Sequence, residues 1–312
     1  ISKFTEQYEA FREHVLSLDM KELELLTGVS KELVKKAAVA YASAENAMEF
    51  HGLGVTEHFQ GSKTVMLLSN IAMMTGNIGR PGVGLNPLRG QNNVQGAADM
   101  GVQPHQGAGY MDVNSLEIQQ YYADKYGVPH MPEKEGLKIP EMLDAAIKGK
   151  FKALWIMGED TLMTDPNTLH IRKAMEQLDI LIVQELFLSA TAEMADVVLP
   201  ASSYFEKNGT FTNGERRVQR VNKVVDPIGN SKPDGQMIID MMYKLGYEQP
   251  TGSLYDAEKI LAEIADVIPF MKGISWERLG QNGLQWPVLP EGQDTQILHK
   301  NGNFKRGKGM FH

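Results

Sequence analysis

Three short apolar runs separated by helical spacing constrain the fold of this chain more than any other feature. They occupy residues 151–157, closed by Gly158, then 179–183, and then 195–199, closed by Pro200. A helix is expected over 166–178 and a further helical turn before the third run. Strands this continuously apolar are shielded on both faces, and strand, helix, strand, helix, strand with short links implies a parallel sheet covered by helices on both sides.

The flanking segments read less uniformly. Phe4, Tyr8, Phe11 and Val15 recur at three-to-four spacing, which predicts an amphipathic helix over 3–17. Ser30 is a good N-cap for a helix running through Tyr41. Residues 47–51 suit a short strand stopping at Gly52, and helix periodicity resumes from Ser62 to Gly76. Met73-Met74 and Met241-Met242 suit helix faces buried in a core. From Gly79 to Gly109 the chain is rich in Gly, Asn, Gln and Pro, neither repetitive nor highly charged, and an ordered loop is expected. Partial alternation from Thr210 to Val225 around Asn213-Gly214 predicts an antiparallel hairpin. Two more helices fit 234–245 and 256–268, and the tail shows weak structure signals.

Composition narrows the chemistry. The chain has no cysteine, which removes disulfides, thiolate metal sites, iron–sulfur ligation and cysteine nucleophiles together. Its eight histidines form no HExxH, and His51 and His58 stand seven apart across a glycine-containing stretch, where they read as satisfied loop or pocket imidazoles. No metal site is expected by motif. A net charge of −8 argues against nucleic acid, and the basic clusters at Arg216-Arg217 and Lys305 to Lys308 are too short to reverse that. At 312 residues the chain suits two domains. No run approaches the ~20 apolar residues of a membrane span. The charged N-terminus does not resemble a signal peptide, so a cytoplasmic protein without a membrane segment is expected. Because it opens on Ile1 rather than Met, an excised or processed segment is expected.

In open parallel sheets ligands bind beyond the carboxyl ends of the strands. Here those ends carry Gly158-Glu159-Asp160 with Thr164 beyond, then Gln184-Glu185, then Asp196 or the residues past Pro200. Acceptor side chains there suit ribose hydroxyls or the N–H edge of guanine, yet Asp160 or Asp165 fits a helix N-cap equally well. The GxGxxG turn of nicotinamide enzymes is missing. A second cluster lies in Asn86-Pro87-Leu88-Arg89-Gly90-Gln91-Asn92-Asn93-Val94-Gln95-Gly96. Its amides can read a heteroaromatic edge. The planar fork of Arg89 either grips a small carboxylate or pins the loop through backbone carbonyls, and the residues alone leave both open.

The run NPLRGQNNVQGAADMG closely resembles the signature of molybdopterin-dependent formate dehydrogenase catalytic subunits, with Ala98 where the family has Cys, a position that is not the metal ligand. HGLGVTEHFQG at 51–61, WIMGEDTLMTD at 155–165, and VQELF with ADVVLPASSYFEKNGTFTNGERRVQ within 183–219 agree in order and spacing. The resemblance spans essentially the whole chain. It implies two α/β/α Rossmann-like doubly wound domains with a small β-hairpin-containing subdomain. These would be 1–92 as part of a first domain, 93–204 with 233–254 as a second, and 205–232 with 255–312 as the hairpin and connecting region. It further implies molybdenum or tungsten held by bis-molybdopterin guanine dinucleotide. Leu53, Glu57, Arg89 and Gln91 would lie near the pterins and metal, and Gly158, Asp160, Thr164, Gln184, Glu185 and Asp234 near a guanosine end. Arg89 would orient formate as its hydride leaves for the oxidised metal centre, with Gln91 assisting.

The family's four-cysteine iron–sulfur domain, its cysteine or selenocysteine metal ligand and its C-terminal cap have no counterpart here. The resemblance therefore implies a central fragment, inactive and without cofactor by itself, that works with the remainder of the catalytic subunit and an electron-transfer subunit. Competing expectations are another molybdopterin reductase, acting on nitrate or arsenate, against which RGQNNVQG argues, and a non-catalytic pterin-binding or assembly module.

Overall fold

The computed structural model describes residues 3–247 and 252–312. Residues 1–2 and 248–251, expected in the first and second α/β domains, lie outside the described residues. The chain divides into two compact units, residues 1–92 with 295–312 and residues 93–294.

In the first unit, β1 (Thr5–Glu6) precedes α1 (Tyr8–Leu16), α2 (Met20–Thr27) and α3 (Lys31–Ser43). The expected helix over 3–17 therefore starts later, because Thr5 and Glu6 pair in parallel with Gly309 and Met310. The tail, grouped by sequence with the hairpin region, belongs to this unit through that pairing. Asp19 caps α2 through Lys21 N–H, and Ser30 caps α3 through Leu33 N–H. Next come β2 (Met48–His51), a single turn α4 (Leu53–Thr56), α5 (Gly61–Thr75) and β3 (Gly84–Pro87). Gly76 ends α5 at φ 70°, a conformation that favours glycine. β2 and β3 pair in parallel from Met48–Gly84 to His51–Pro87, so α4 and α5 form the crossover of a βαβ unit. Part of the Gly79–Gly109 stretch is thus a strand whose partner, not its own periodicity, defines it.

The apolar core of this unit is small. Its buried apolar side chains among the described residues are Ala72, Met73 and Phe311, with the rings of Tyr8 and Phe11 5.2 and 5.4 Å from that of Phe311. Asn70, fully buried, brackets the backbone of His312 through both ends of its amide. α2 and α3 bury no residue, and Leu25 is 85% exposed.

The second unit opens with α6 (Val94–Asp99) and a short ladder of β4 (Gln106–Gly107) and β5 (Met111–Asp112). Two helices that carried no clear sequence signal follow, α7 (Leu116–Tyr126) and α8 (Ile139–Ile147). Then β6 (Ala153–Met157), α9 (Thr161–Thr164), α10 (Thr168–Met175), β7 (Ile180–Glu185) and β8 (Val197–Pro200) build the expected parallel sheet, in the order β6-β7-β8. Leu154 pairs with Leu181 and Ile156 with Val183. These four residues pack with Leu143 and Ala146 of α8 and with Ile171, Ala174 and Met175 of α10. On the opposite face Trp155, Ile182 and Leu199 are half-buried and Gln184 is buried, while the strand ends Met157, Ile180 and Val197 are 37–50% exposed. Gln184 lies on the central strand, paired with Met157 of β6 on one side and Leu199 of β8 on the other.

The expected hairpin is β9 (Gly209–Thr212) against β10 (Arg217–Val221), turned by Asn213, whose Oδ1 accepts the N–H groups of Glu215 and Arg217. α11 (Asp234–Lys244), α12 (Ala257–Val267), α13 (Trp276–Leu279) and β11 (Leu284–Gln285) complete the unit. A second core gathers Val218, Leu261, Ile268, Leu279 and Val288 around the hairpin. Among the described residues no helix is long and apolar enough to cross a membrane.

Candidate functional site

The carboxyl edge of the β6-β7-β8 sheet brings together Gly158, Asp160, Gln184 and Glu185. Gly158 turns the chain at φ 64°, and its N–H donates to Gln184 O at 2.9 Å. Asp160 is no side-chain cap for α9. Its Oδ1 accepts instead from the N–H and hydroxyl of Thr191, at 3.0 and 2.6 Å, and so ties the loop before β8 to the edge. Thr164 donates its hydroxyl to the Glu159 carboxylate at 2.5 Å. Beyond α9, Asp165 has its pKa raised by burial and by the charge of Glu159. Glu185 takes the Leu186 N–H on one carboxylate oxygen, at 2.6 Å.

Gln184 is fully buried, and its Nε2 donates to Asp234 Oδ1 at 2.7 Å. Asp234 is the first residue of α11, and its other oxygen pairs with the Lys207 ammonium. That ammonium also donates to Ser202 O at 2.8 Å. The Gln184 Oε1 is buried without a hydrogen-bond partner. A neutral amide oxygen left so carries a desolvation cost that a ligand donor would relieve. Tyr255 presses its ring on Gly235, where an added Cβ would lie 2.3 Å from the ring. Burial, then the charges of Asp234 and Asp256, push the Tyr255 phenol pKa up. Next to Lys207 and Pro233 opens a cavity of about 730 Å³, lined also by Tyr255, Asp256 and Trp276.

In the first unit the carboxyl ends of β2 and β3 are joined by Leu88 N–H donating to His51 O at 2.7 Å. Leu53 opens α4 half-exposed, Glu57 follows it exposed, and Arg89 and Gln91 stand exposed just past β3. Leu53, Glu57, Arg89 and Gln91 therefore all follow strands at one edge of a parallel pair. His51 is buried there with its Nδ1 unpartnered, unlike the satisfied imidazole expected from sequence.

The second half of the NPLRGQNNVQGAADMG run lies in the other unit, where it is held tightly. Asn93 Oδ1 accepts the Thr212 N–H at 2.8 Å, and a Cβ at Gly96 would meet that oxygen at 2.1 Å. Asp99 is fully buried and accepts from Gln95 Nε2, the Tyr110 hydroxyl and Trp286 Nε1, at 2.9, 2.7 and 2.9 Å. Sequence reasoning missed Lys207, Thr191 and Asp99. Each acts through partners distant in sequence or through burial, and no local pattern announces that. Among the described residues no group of His, Asp and Glu could hold a metal ion.

A family model described as molybdopterin oxidoreductase matches residues 5–243. The chain is 43% identical over 311 residues to the F420-dependent formate dehydrogenase 2 subunit alpha of Methanococcus maripaludis, covering 99% of itself and 45% of that protein. It is 43% identical over 302 residues to the F420-dependent formate dehydrogenase subunit alpha of Methanocaldococcus jannaschii, of which it covers 44%. Probable oxidoreductase YjgC of Bacillus subtilis is also 43% identical, with 31% of its length covered. The chain thus spans less than half the length of these relatives. Acetylene hydratase from Pelobacter acetylenicus superimposes with a TM-score of 0.68 at 17% identity, over 99% of this chain and 44% of that one, a likeness of fold.

Proposed function

The chain belongs to the molybdopterin oxidoreductase family, and on that premise we propose that it is the central portion of a formate dehydrogenase catalytic subunit that oxidises formate to carbon dioxide. The observation that carries this reading is the position of Arg89 and Gln91, in the run shared with formate dehydrogenases, at the carboxyl edge of the β2–β3 pair.

The residues fit the cofactor that the family name implies. Gln184 offers a buried acceptor without a donor, and His51 a buried nitrogen without a partner, each at the carboxyl edge of its own parallel sheet. Gln184 and Asp234 would accept from the N–H edge of guanine, while Asp160 and Glu185 would accept from ribose hydroxyls. Thr164 would add a hydroxyl to the guanosine end, and Gly158 leaves room for its close approach. Leu53 and Glu57 would stand beside a pterin, the first excluding water and the second accepting an N–H. When bound, the bis-pterin guanine dinucleotide with molybdenum or tungsten supplies the oxidised centre that takes up the hydride of formate.

Arg89 does the orienting. A guanidinium presents two parallel N–H donors to both oxygens of a carboxylate, which aims the C–H bond away from the arginine. Gln91 adds an amide donor to one of those oxygens. Formate has no other group to grip, so its pose depends on this contact. Thiolate ligation and an iron–sulfur path for the electrons are assigned to the remainder of the subunit and to an electron-transfer partner, since this chain has no cysteine. The uncovered apolar faces of α2 and α3 are surfaces for that remainder. By itself the chain is inactive in this reading.

The test is Arg89→Lys in the full-length subunit. Lysine keeps the charge but not the planar fork, so formate turnover should fall on the order of 10²-fold or more, with metal and pterin content retained. Near-normal turnover at normal cofactor loading would return Arg89 to pinning its loop.

A further inference from the structure

A glutamine amide offers an acceptor at one end and donors at the other, and either can face a ligand. At Gln184 the choice is imposed from outside. Asp234 Oδ1 receives the amide at 2.7 Å, and an ionised carboxylate accepts only, so Nε2 must face it. The Oε1 is thereby left pointing elsewhere, buried and without a partner. Asp234 sits at an exposed helix start, where its side chain would otherwise be free to turn. It is held by Lys207, itself fixed to Ser202 O at 2.8 Å and mostly shielded, with 21% of its side chain exposed.

We propose that Lys207 is a positioning residue that sets the purine preference of the nucleotide site, locking Asp234 and through it the Gln184 amide in the orientation that accepts from guanine and rejects adenine. This rests on the nucleotide reading above. Guanine places two adjacent donors, N1–H and the N2 amino group, on its Watson–Crick edge. The buried Gln184 Oε1, held in place through Asp234, would accept from one of them, and the Asp234 carboxylate would accept from the other. Adenine presents an acceptor at N1, which would face those acceptors and leave them unpaired, a mismatch that buried sites reject strongly. Without Lys207, Asp234 can swing away and the amide can reverse, so that Nε2 meets the adenine acceptor.

The experiment is binding of GDP, ADP and IDP to the cofactor-free full-length subunit by calorimetry, for the wild type, Lys207→Met and Lys207→Arg, with thermal unfolding as a check on folding. The wild type should prefer GDP over ADP by about 10²-fold, with IDP, which lacks the N2 amino group, in between. Lys207→Met should cut that ratio about tenfold or more by weakening GDP and strengthening ADP, and Lys207→Arg should restore most of it. An unchanged ratio in Lys207→Met, even with both nucleotides weakened together, would reduce Lys207 to a loop anchor and overturn the proposal. If Lys207→Met does not fold, Asp234→Asn decides, because an amide there no longer dictates which end of Gln184 faces it. A retained ratio in that variant overturns the proposal equally. No binding of any nucleotide by the wild type removes the nucleotide reading and this one with it.

Discussion

The side chains that end the parallel strands differ in exposure between the two units. At the edge of β6-β7-β8 the polar side chains are already committed to one another: Asp160 to Thr191, Thr164 to Glu159, Gln184 to Asp234, and Asp234 to Lys207. At the edge of β2-β3, Leu53, Glu57, Arg89 and Gln91 stand exposed. The same contrast runs through the packing. The second unit holds two apolar clusters, whereas α2 and α3 of the first bury nothing. A site reading one invariant group, such as a purine edge, gains from being built in advance by the protein's own bonds.

The largest expected consequence is in hydrogen exchange. Amides of α2 and α3 should exchange at least about 10²-fold faster than those of β7, because little buried area opposes their opening. Equal protection in the two units would break the comparison. Next is Asp99→Ala, which removes the buried acceptor shared by Gln95, Tyr110 and Trp286. It should cost about 3 kcal/mol or more. All three tryptophans, Trp155, Trp276 and Trp286, lie in the second unit. Their fluorescence in a urea titration should therefore shift to lower midpoint, and an unshifted midpoint would deny that network its role.

The smallest effect concerns Glu206. Its carboxylate accepts the N–H groups of Ser203 and Ile228 at 2.7 and 2.8 Å, and these bonds, that of Ser203 first, hold its pKa below the ordinary 4.5. A depressed folded pKa means stability that is complete above the unfolded value and lost as pH falls through the folded one. Glu206→Gln should therefore unfold earlier than the wild type at neutral pH. The two should converge as the pH falls through the depressed folded pKa. A gap that persists into acid would place the effect in packing instead.

What could be read from the sequence follows the range of the forces involved. Ser30, Gly76 and Asn213 act on backbone within a few residues, and each cap or turn was legible. The strands β6 to β8 were legible because apolar continuity is itself local. β1 was not, since its partner is Gly309–Met310 at the far end of the chain. Nor was α2, although Asp19 caps it. At the site, Gln184 could be placed at a strand end, and the family resemblance suggested Asp234. Their contact, 50 positions apart in sequence, and the grip of Lys207 on Asp234 needed the fold. Asp160 shows the limit most plainly: its local context fits a helix cap, and its side chain is spent on Thr191 instead.

In the proposed reading Arg89, just past β3, orients formate. The direct measurement is turnover by the full-length, cofactor-loaded subunit offered formate with an oxidised dye and, separately, nitrate or arsenate with a reduced one. The account predicts formate-dependent dye reduction, none with the isolated chain, and no reduction of the oxyanions. Nitrate or arsenate reduction without any oxidation of formate would contradict it.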